Sequence, residues 1–250
     1  MKVIAFNGSP RGKRSNTDCI LQPFLKGAQS AGAETETVYL RDFKINHCLG
    51  CFTCWTKTPG VCIQKDDMPA LLEKMRGADI IVYATPLYIF TVNGLMKDFM
   101  DRFMPLADPH ISRRGEYYSH PSRYKTRRKG SSRRGVVLIS NCGFPGRYNF
   151  SALEETFRIF TSVSGSKLMA TIFRPMGELF AVPGLKGSFD WYFDAALKAG
   201  REVVEQGHVT PKTQAVLNKD LVSPEDYVTM ANAYWDSQIA VPEKKEKGKG

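Results

Sequence analysis

Four of the chain's six cysteines fall within fifteen residues, as Cys48-Leu49-Gly50-Cys51-Phe52-Thr53-Cys54 followed by Cys62, a C-x2-C-x2-C-x7-C run. Thiolates at i, i+3 and i+6 can wrap one face of an iron-sulfur cube, as in cluster-binding runs whose fourth cysteine follows three residues on. The seven residues between Cys54 and Cys62 include Pro59-Gly60, a strong turn signal, so the chain can fold back and offer Cys62 as fourth ligand to the same [4Fe-4S] cluster. Two other readings stay open. Zinc also accepts four thiolates, although structural zinc more often uses two separated C-x2-C knuckles. The loop could equally carry plain thiols and no cluster. Three disulfides among these four cysteines, Cys19 and Cys142 are disfavoured, because cysteines two residues apart make poor relaxed bridges and a chain of this size does not need them.

A second segment with chemical potential is Asn7-Gly8-Ser9-Pro10-Arg11-Gly12-Lys13-Arg14-Ser15-Asn16-Thr17. It is rich in hydroxyls, glycine and positive charge, and it opens onto a helical pattern. Free N–H groups and the positive dipole end favour a phosphate there. The segment is neither a P-loop, since only three residues separate Gly8 from Gly12-Lys13 and Arg14 follows, nor a Gly-x-Gly-x-x-Gly dinucleotide fingerprint. The plain alternative is a capped helix with Ser15 or Asn16 at the N-cap.

These segments need elements to position them. Apolar β-rich runs cover 2–6, 35–40, 79–84, 135–140 and 167–173, and helical spacing covers 17–32, 67–77, 93–104, 151–164 and 189–206. Strands alternating with helices predict an α/β chain with a doubly wound, flavodoxin-like five-stranded parallel sheet and helices on both faces. Ligands of such sheets bind beyond the carboxyl ends of the strands. The expected organisation is one domain over 1–208, carrying the cysteine loop 48–62 and a basic insertion at 106–134. A helical C-terminal extension over 209–240 and a flexible tail over 241–250 follow.

The loop at 7–17 resembles the FMN phosphate loop of the flavodoxin-like NAD(P)H-dependent FMN reductases. Two further segments, Thr85-Pro86-Leu87-Tyr88-Ile89-Phe90 and Asn141-Cys142-Gly143-Phe144-Pro145, fall where that family places its other flavin loops, and Met96-Lys97-Asp98-Phe99-Met100-Asp101-Arg102 looks like its Lys-x-Phe-x-Asp-Arg helix. The resemblance implies that Ser9, Arg11, Ser15, Asn16 and Thr17 hold the phosphate, that Pro86, Leu87 and Tyr88 lie along the isoalloxazine ring, and that Asn141, Cys142 and Gly143 sit near the ribityl chain or ring edge. Tyr88 and Phe90 also admit a simpler role as packing or interface aromatics. With the cysteine run included, the chain resembles the iron-sulfur flavoproteins of anaerobic archaea and bacteria from residue 1 to about residue 235. Its x7 gap is long for that motif. The subfamily resemblance implies Cys48, Cys51, Cys54 and Cys62 as cluster ligands, a relay of electrons between a [4Fe-4S] cluster and FMN, and a homodimer or homotetramer with the 97–102 helix at an interface. The alternative it leaves is an NAD(P)H-dependent FMN or quinone reductase without a cluster, with NAD(P)H as substrate.

No acid-base machinery competes with a redox role. The four histidines, His47, His110, His120 and His208, form no spaced ligand set. Asp66-Asp67 reads as a helix start rather than a carboxylate pair, and His47 beside Cys48 as an exposed loop residue or a tuner of the cluster.

The formal charge of +10 resides in two places: 111–135 holds nine basic residues against Glu116, and the last eight residues hold four Lys and two Glu, leaving 22 basic and 22 acidic residues elsewhere. Arg113, Arg114, Arg123, Lys125, Arg127, Arg128, Lys129, Arg133 and Arg134 interleave with Tyr117, Tyr118 and Tyr124. That composition suits a solvated loop, a dock for an acidic redox partner such as ferredoxin, or, least of the three, a nucleic-acid surface on the same fold. No apolar run approaches the ~18 residues of a membrane span and the N-terminal run is too short for a signal peptide, so a cytoplasmic protein with no membrane partner is expected.

Overall fold

The computed structural model describes residues 1–124 and 134–240. Strand β1 (Lys2–Asn7) is followed by helix α1 (Asn16–Ser30) and β2 (Glu34–Tyr39), then by the cysteine loop and α2 (Met68–Gly77). Next come β3 (Ile80–Tyr88), the two-residue β4 (Thr91–Val92) and α3 (Gly94–Asp101). A small hairpin, β5 (Ser112–Arg114) and β6 (Tyr117–Ser119), precedes β7 (Gly135–Asn141), α4 (Ser151–Ser164), β8 (Lys167–Arg174) and α5 (Asp190–Gln206). Helices α6 (Pro211–Leu217) and α7 (Pro224–Ile239) follow.

The principal sheet runs β2-β1-β3-β7-β8 with every neighbouring pair parallel. This is the doubly wound order read from the sequence, and its direction reverses between β1 and β3, where such sheets form a crevice. Alternation in β1 sorts the core. Val3 and Ala5 pack with Ile20, Phe24 and Ala196 of α1 and α5, whereas Ile4 and Phe6 face Leu71, Phe99 and Phe157 of α2, α3 and α4. Both faces are therefore covered, and each fully buried Phe or Ile contributes ~1.5–3 kcal/mol. Helices α1 and α5 meet backbone to backbone: a Cβ at Gly27 would lie 1.8 Å from the Leu197 carbonyl oxygen, and one at Gly200 1.8 Å from that of Phe24.

Three boundaries differ from the sequence reading. Strand β3 continues through Pro86 and Leu87 and turns into an antiparallel pair with β4. The helix expected over 93–104 stops at Asp101, and a 3-10 turn over Met104–Leu106 replaces its end, because Pro105 cannot extend a helix. Within the basic insertion, Ser112–Arg114 pairs with Tyr117–Ser119. Lys125, Arg127, Arg128, Lys129 and Arg133, like the tail 241–250, lie outside the described residues. Helix α6 contributes Leu217 to the α1-α5 core and α7 buries Tyr227, so both pack onto the sheet domain. No helix among the described residues is long and apolar enough to cross a membrane.

Candidate flavin-phosphate and cysteine sites

The segment after β1 is fixed by its own hydrogen bonds. Asn7 Oδ1 accepts from Ser9 N at 2.9 Å, and Asn7 Nδ2 donates to Asp18 at 3.1 Å. Gly8 N extends the ladder to the Ala84 carbonyl, and Gly8 O accepts from Asn93 Nδ2 at 2.6 Å. A Cβ on Gly8 would stand 2.9 Å from Asn93 Oδ1 and 3.0 Å from Met96 Cβ, so only glycine lets the loop lie this close to α3. Ser15 is the N-cap of α1: its hydroxyl accepts from Asp18 N at 3.1 Å and donates to Gly12 O at 2.7 Å. The capped-helix reading thus holds for Ser15. An N-cap leaves further first-turn N–H groups without intrahelical acceptors, here those of Asn16 and Thr17 at the positive end of α1.

Two of the other expected residues join the loop to the far side of the crevice. Thr17 Oγ1 donates to Asn141 Oδ1 at 2.7 Å, both residues being buried, which pins α1 to the end of β7. Asn16 Nδ2 donates to Glu178 Oε2 at 3.0 Å, and Arg11 faces the same carboxylate at 3.6 Å. Ser9 Oγ accepts from Arg11 N at 3.3 Å. Cys142 is buried and its thiol donates to Phe144 O at 3.4 Å; burial, above all, pushes that thiol up from its ordinary value. Gly143 O accepts from the Tyr227 hydroxyl of α7. Burial, then the neighbouring Glu178, raises the Tyr227 phenol.

Along β3, Pro86 is buried, Leu87 half-buried and Tyr88 half-exposed. Thr85 and Asn93 lock the base of this arm, Thr85 Oγ1 and Asn93 Oδ1 lying 3.1 Å apart. At its tip Ile89 and Phe90 both take left-handed conformations, with φ of 45° and 61°, a two-residue hairpin turn that normally selects glycine or asparagine. Such strain persists where the surroundings over-determine it and concentrates at ligand sites. Ile89 is 89% exposed and Phe90 54%.

The cysteine loop is anchored onto α3 and its following turn. Arg102 and Asp66 are both fully buried; Arg102 Nη1 lies 2.5 Å from Asp66 Oδ2 and 2.8 Å from Asn46 O, and Nη2 donates to Cys62 Sγ at 3.4 Å. Burial pushes the Asp66 carboxyl up, but hydrogen bonds from Arg102 and from the Asn46 and Met68 N–H groups outweigh it and hold the carboxyl below its ordinary value. Asp66 is therefore an anchor rather than half of a carboxylate pair. Trp55 Nε1 donates to Met104 O at 2.8 Å, and His47 Nδ1 lies 2.6 Å from Asp98. Cys54 is buried, Cys62 intermediate, and Cys48 and Cys51 exposed. Burial raises the Cys54 thiol, and Cys62, Cys48 and Cys51 push it the same way; Thr53 lowers the Cys51 thiol through hydrogen bonds. Among the described residues, no three His, Cys, Asp or Glu side chains are gathered closely enough to hold a metal ion. The donor chemistry, four thiols within one short loop, suits a thiolate-bound cluster.

Sequence reasoning missed Asn93, Glu178 and Tyr227. The N-cap signature of Asn93 before a helical run was available; nothing local marks the other two.

Together these features define a flavodoxin-like α/β protein with a hydroxyl- and glycine-rich loop after its first strand and a strained aromatic arm beside it. Residues 1–120, just under half of the chain, match the family described as NADPH-dependent FMN reductase. It is 40% identical over 145 residues to an iron-sulfur flavoprotein of Archaeoglobus fulgidus, an alignment covering 58% of this chain and 57% of the relative. It is 40% identical over 106 residues to an iron-sulfur flavoprotein of Methanocaldococcus jannaschii, covering 42% and 53% respectively. The chain spans about half the length of the curated relatives it matches. Among solved structures, an NAD(P)H:quinone oxidoreductase from Methanothermobacter marburgensis superposes with a TM-score of 0.57 at 16% identity, over 81% of this chain and 96% of that one, a likeness of fold.

Proposed function

We propose that the protein is an FMN-dependent oxidoreductase of the iron-sulfur flavoprotein kind, passing electrons between a [4Fe-4S] cluster and FMN. The observation that carries this reading is the frame Gly8–Asn93–Thr85 and Thr17–Asn141, which draws the segments after β1, β3 and β7 onto one crevice at the switch point. The phosphate would take the N–H groups at the start of α1 with Ser9, Arg11 and Asn16, Ser15 and Thr17 holding the loop in shape. Pro86, Leu87 and Tyr88 would wall the ring, and Asn141, Cys142 and Gly143 its ribityl side. Cys48, Cys51, Cys54 and Cys62 would hold the cluster, a role supported by their spacing and by the names of the relatives. When bound, FMN supplies one- and two-electron transfer and the cluster one-electron transfer. The chain's own part is to orient the ring against the Tyr88 arm, neutralise the phosphate through Arg11 and tie the cysteine loop to α3 through Arg102.

A second reading, an NAD(P)H-dependent FMN or quinone reductase lacking the cluster, is favoured by the description of the matching family and by the exposure of Cys48 and Cys51. Protein purified without oxygen decides between them. Flavin absorbance with stoichiometric FMN, iron and acid-labile sulfide is the expected result; FMN with neither iron nor sulfide selects the second reading, and a colourless chain that takes up no FMN removes both.

A homodimer or homotetramer is supported by exposed large apolar residues, among them Ile89, Phe144, Tyr148 and Trp235. The basic insertion is proposed as a dock for an acidic redox partner such as ferredoxin, ahead of nucleic acid. In the described part of it, Arg123 already donates to Ala107 O and Tyr124 lies under Arg76 at 3.9 Å.

A further inference from the structure

We infer that Glu178 sets the affinity of the phosphate site by competing, as a built-in carboxylate, for Arg11 and Asn16. The inference rests on the FMN reading above and adds a residue that reading does not use. Its basis is the placement of the turn that carries Glu178. Met176 N donates to Phe144 O at 3.0 Å and Gly177 N to Cys142 O at 2.8 Å, so the turn is fastened to the end of β7. Met176 is fully buried in a left-handed conformation, φ 57°, which a methionine adopts only when its surroundings impose it. A Cβ on Gly177 would stand 3.0 Å from Asn141 Cβ, so this turn also packs closely on the residue that Thr17 holds.

The turn therefore sends Glu178 across the crevice to the start of α1, 162 residues away in sequence from Asn16. Its two oxygens take one partner each, Oε2 the Asn16 amide at 3.0 Å and Oε1 the Arg11 guanidinium at 3.6 Å. A phosphate monoester carries up to two negative charges and needs the same kind of donors. Carboxylate and phosphate repel each other, so one set of donors serves one of them at a time. The Glu178 side chain is 52% exposed and can rotate into water without moving the fastened backbone. Flavin binding is then an exchange of anions at Arg11 and Asn16, and only a flavin with a phosphate feels it.

The test measures binding of FMN and of riboflavin, which lacks the phosphate, to the full chain freed of flavin, followed by quenching of flavin fluorescence. Glu178→Gln removes the charge and Glu178→Ala removes the side chain; circular dichroism and thermal melting establish that each is folded, and either one suffices. FMN is expected to bind about tenfold more tightly to the variants, with riboflavin affinity unchanged. FMN affinity that is unchanged or weakened, or a gain shared equally by riboflavin, overturns the inference. A wild-type chain that binds neither flavin instead overturns the FMN reading itself.

Discussion

The segment 7–17 and the segment 47–66 both follow strands of the same sheet, one after β1 and one after β2, and both touch α3, yet they are built on opposite plans. In the first, Asn7, Ser9, Ser15, Asn16 and Thr17 are buried and each makes a side-chain hydrogen bond. In the second, two of four thiols face water, and order comes from a few anchors: the Arg102–Asp66 pair, the Trp55 indole and His47. The difference follows the chemistry each would serve. A phosphate is recognised by N–H groups that the fold can aim in advance, whereas thiolates repel one another and are held together by the metal they bind. The protein then needs to fix only the base of the cysteine loop, and it does so with a buried ion pair.

The sharpest separation of the two regions would come from Cys51→Ser, expected to abolish iron and sulfide incorporation while leaving FMN content and fold intact; loss of FMN in parallel would show the regions to be one unit. Next in size is Asp66→Asn, which leaves the Arg102 charge buried without its partner and should cost about 3–5 kcal/mol in urea unfolding. The same carboxylate gives a pH signature. Because folding lowers its pKa, its stabilisation is complete above the ordinary carboxylate range and fades as pH falls through the lower folded value; Asp66→Asn should flatten that part of the acid-unfolding curve. Asn93→Ala strands the buried Gly8 carbonyl and removes the N-cap acceptor of the Met96 N–H, for about 2 kcal/mol, and should weaken FMN more than riboflavin. Smallest is Ser15→Ala, about 1 kcal/mol for a lost N-cap, visible as a few degrees in melting temperature.

Much of this contrast could be read from residue types. Parallel strands buried on both faces appear as unbroken apolar runs, which is why 135–140 and 79–84 stood out, and the cysteine spacing declared itself without any fold. What stayed hidden depends on distance along the chain. Glu178 reads as a surface acid until the Met176 turn carries it to Asn16, and Tyr227 belongs to a helix that is otherwise exposed. The strand expected to end at 84 runs on through Pro86, which continues the register opposite Asn141. The 112–119 hairpin lay concealed because each strand is only three residues long and the first is exposed and charged, with no apolar alternation to mark them.

The paired glycines of α1 and α5 give the crevice a fixed datum. With Gly27 and Gly200 each seated against the opposing main chain, the two helices are keyed like a tongue in a slot, which opposes lengthwise sliding. Any longitudinal drift of α1 would carry Asn16 and Thr17 with it, so a methyl group added at residue 27 would reposition the N-terminal tip of the helix.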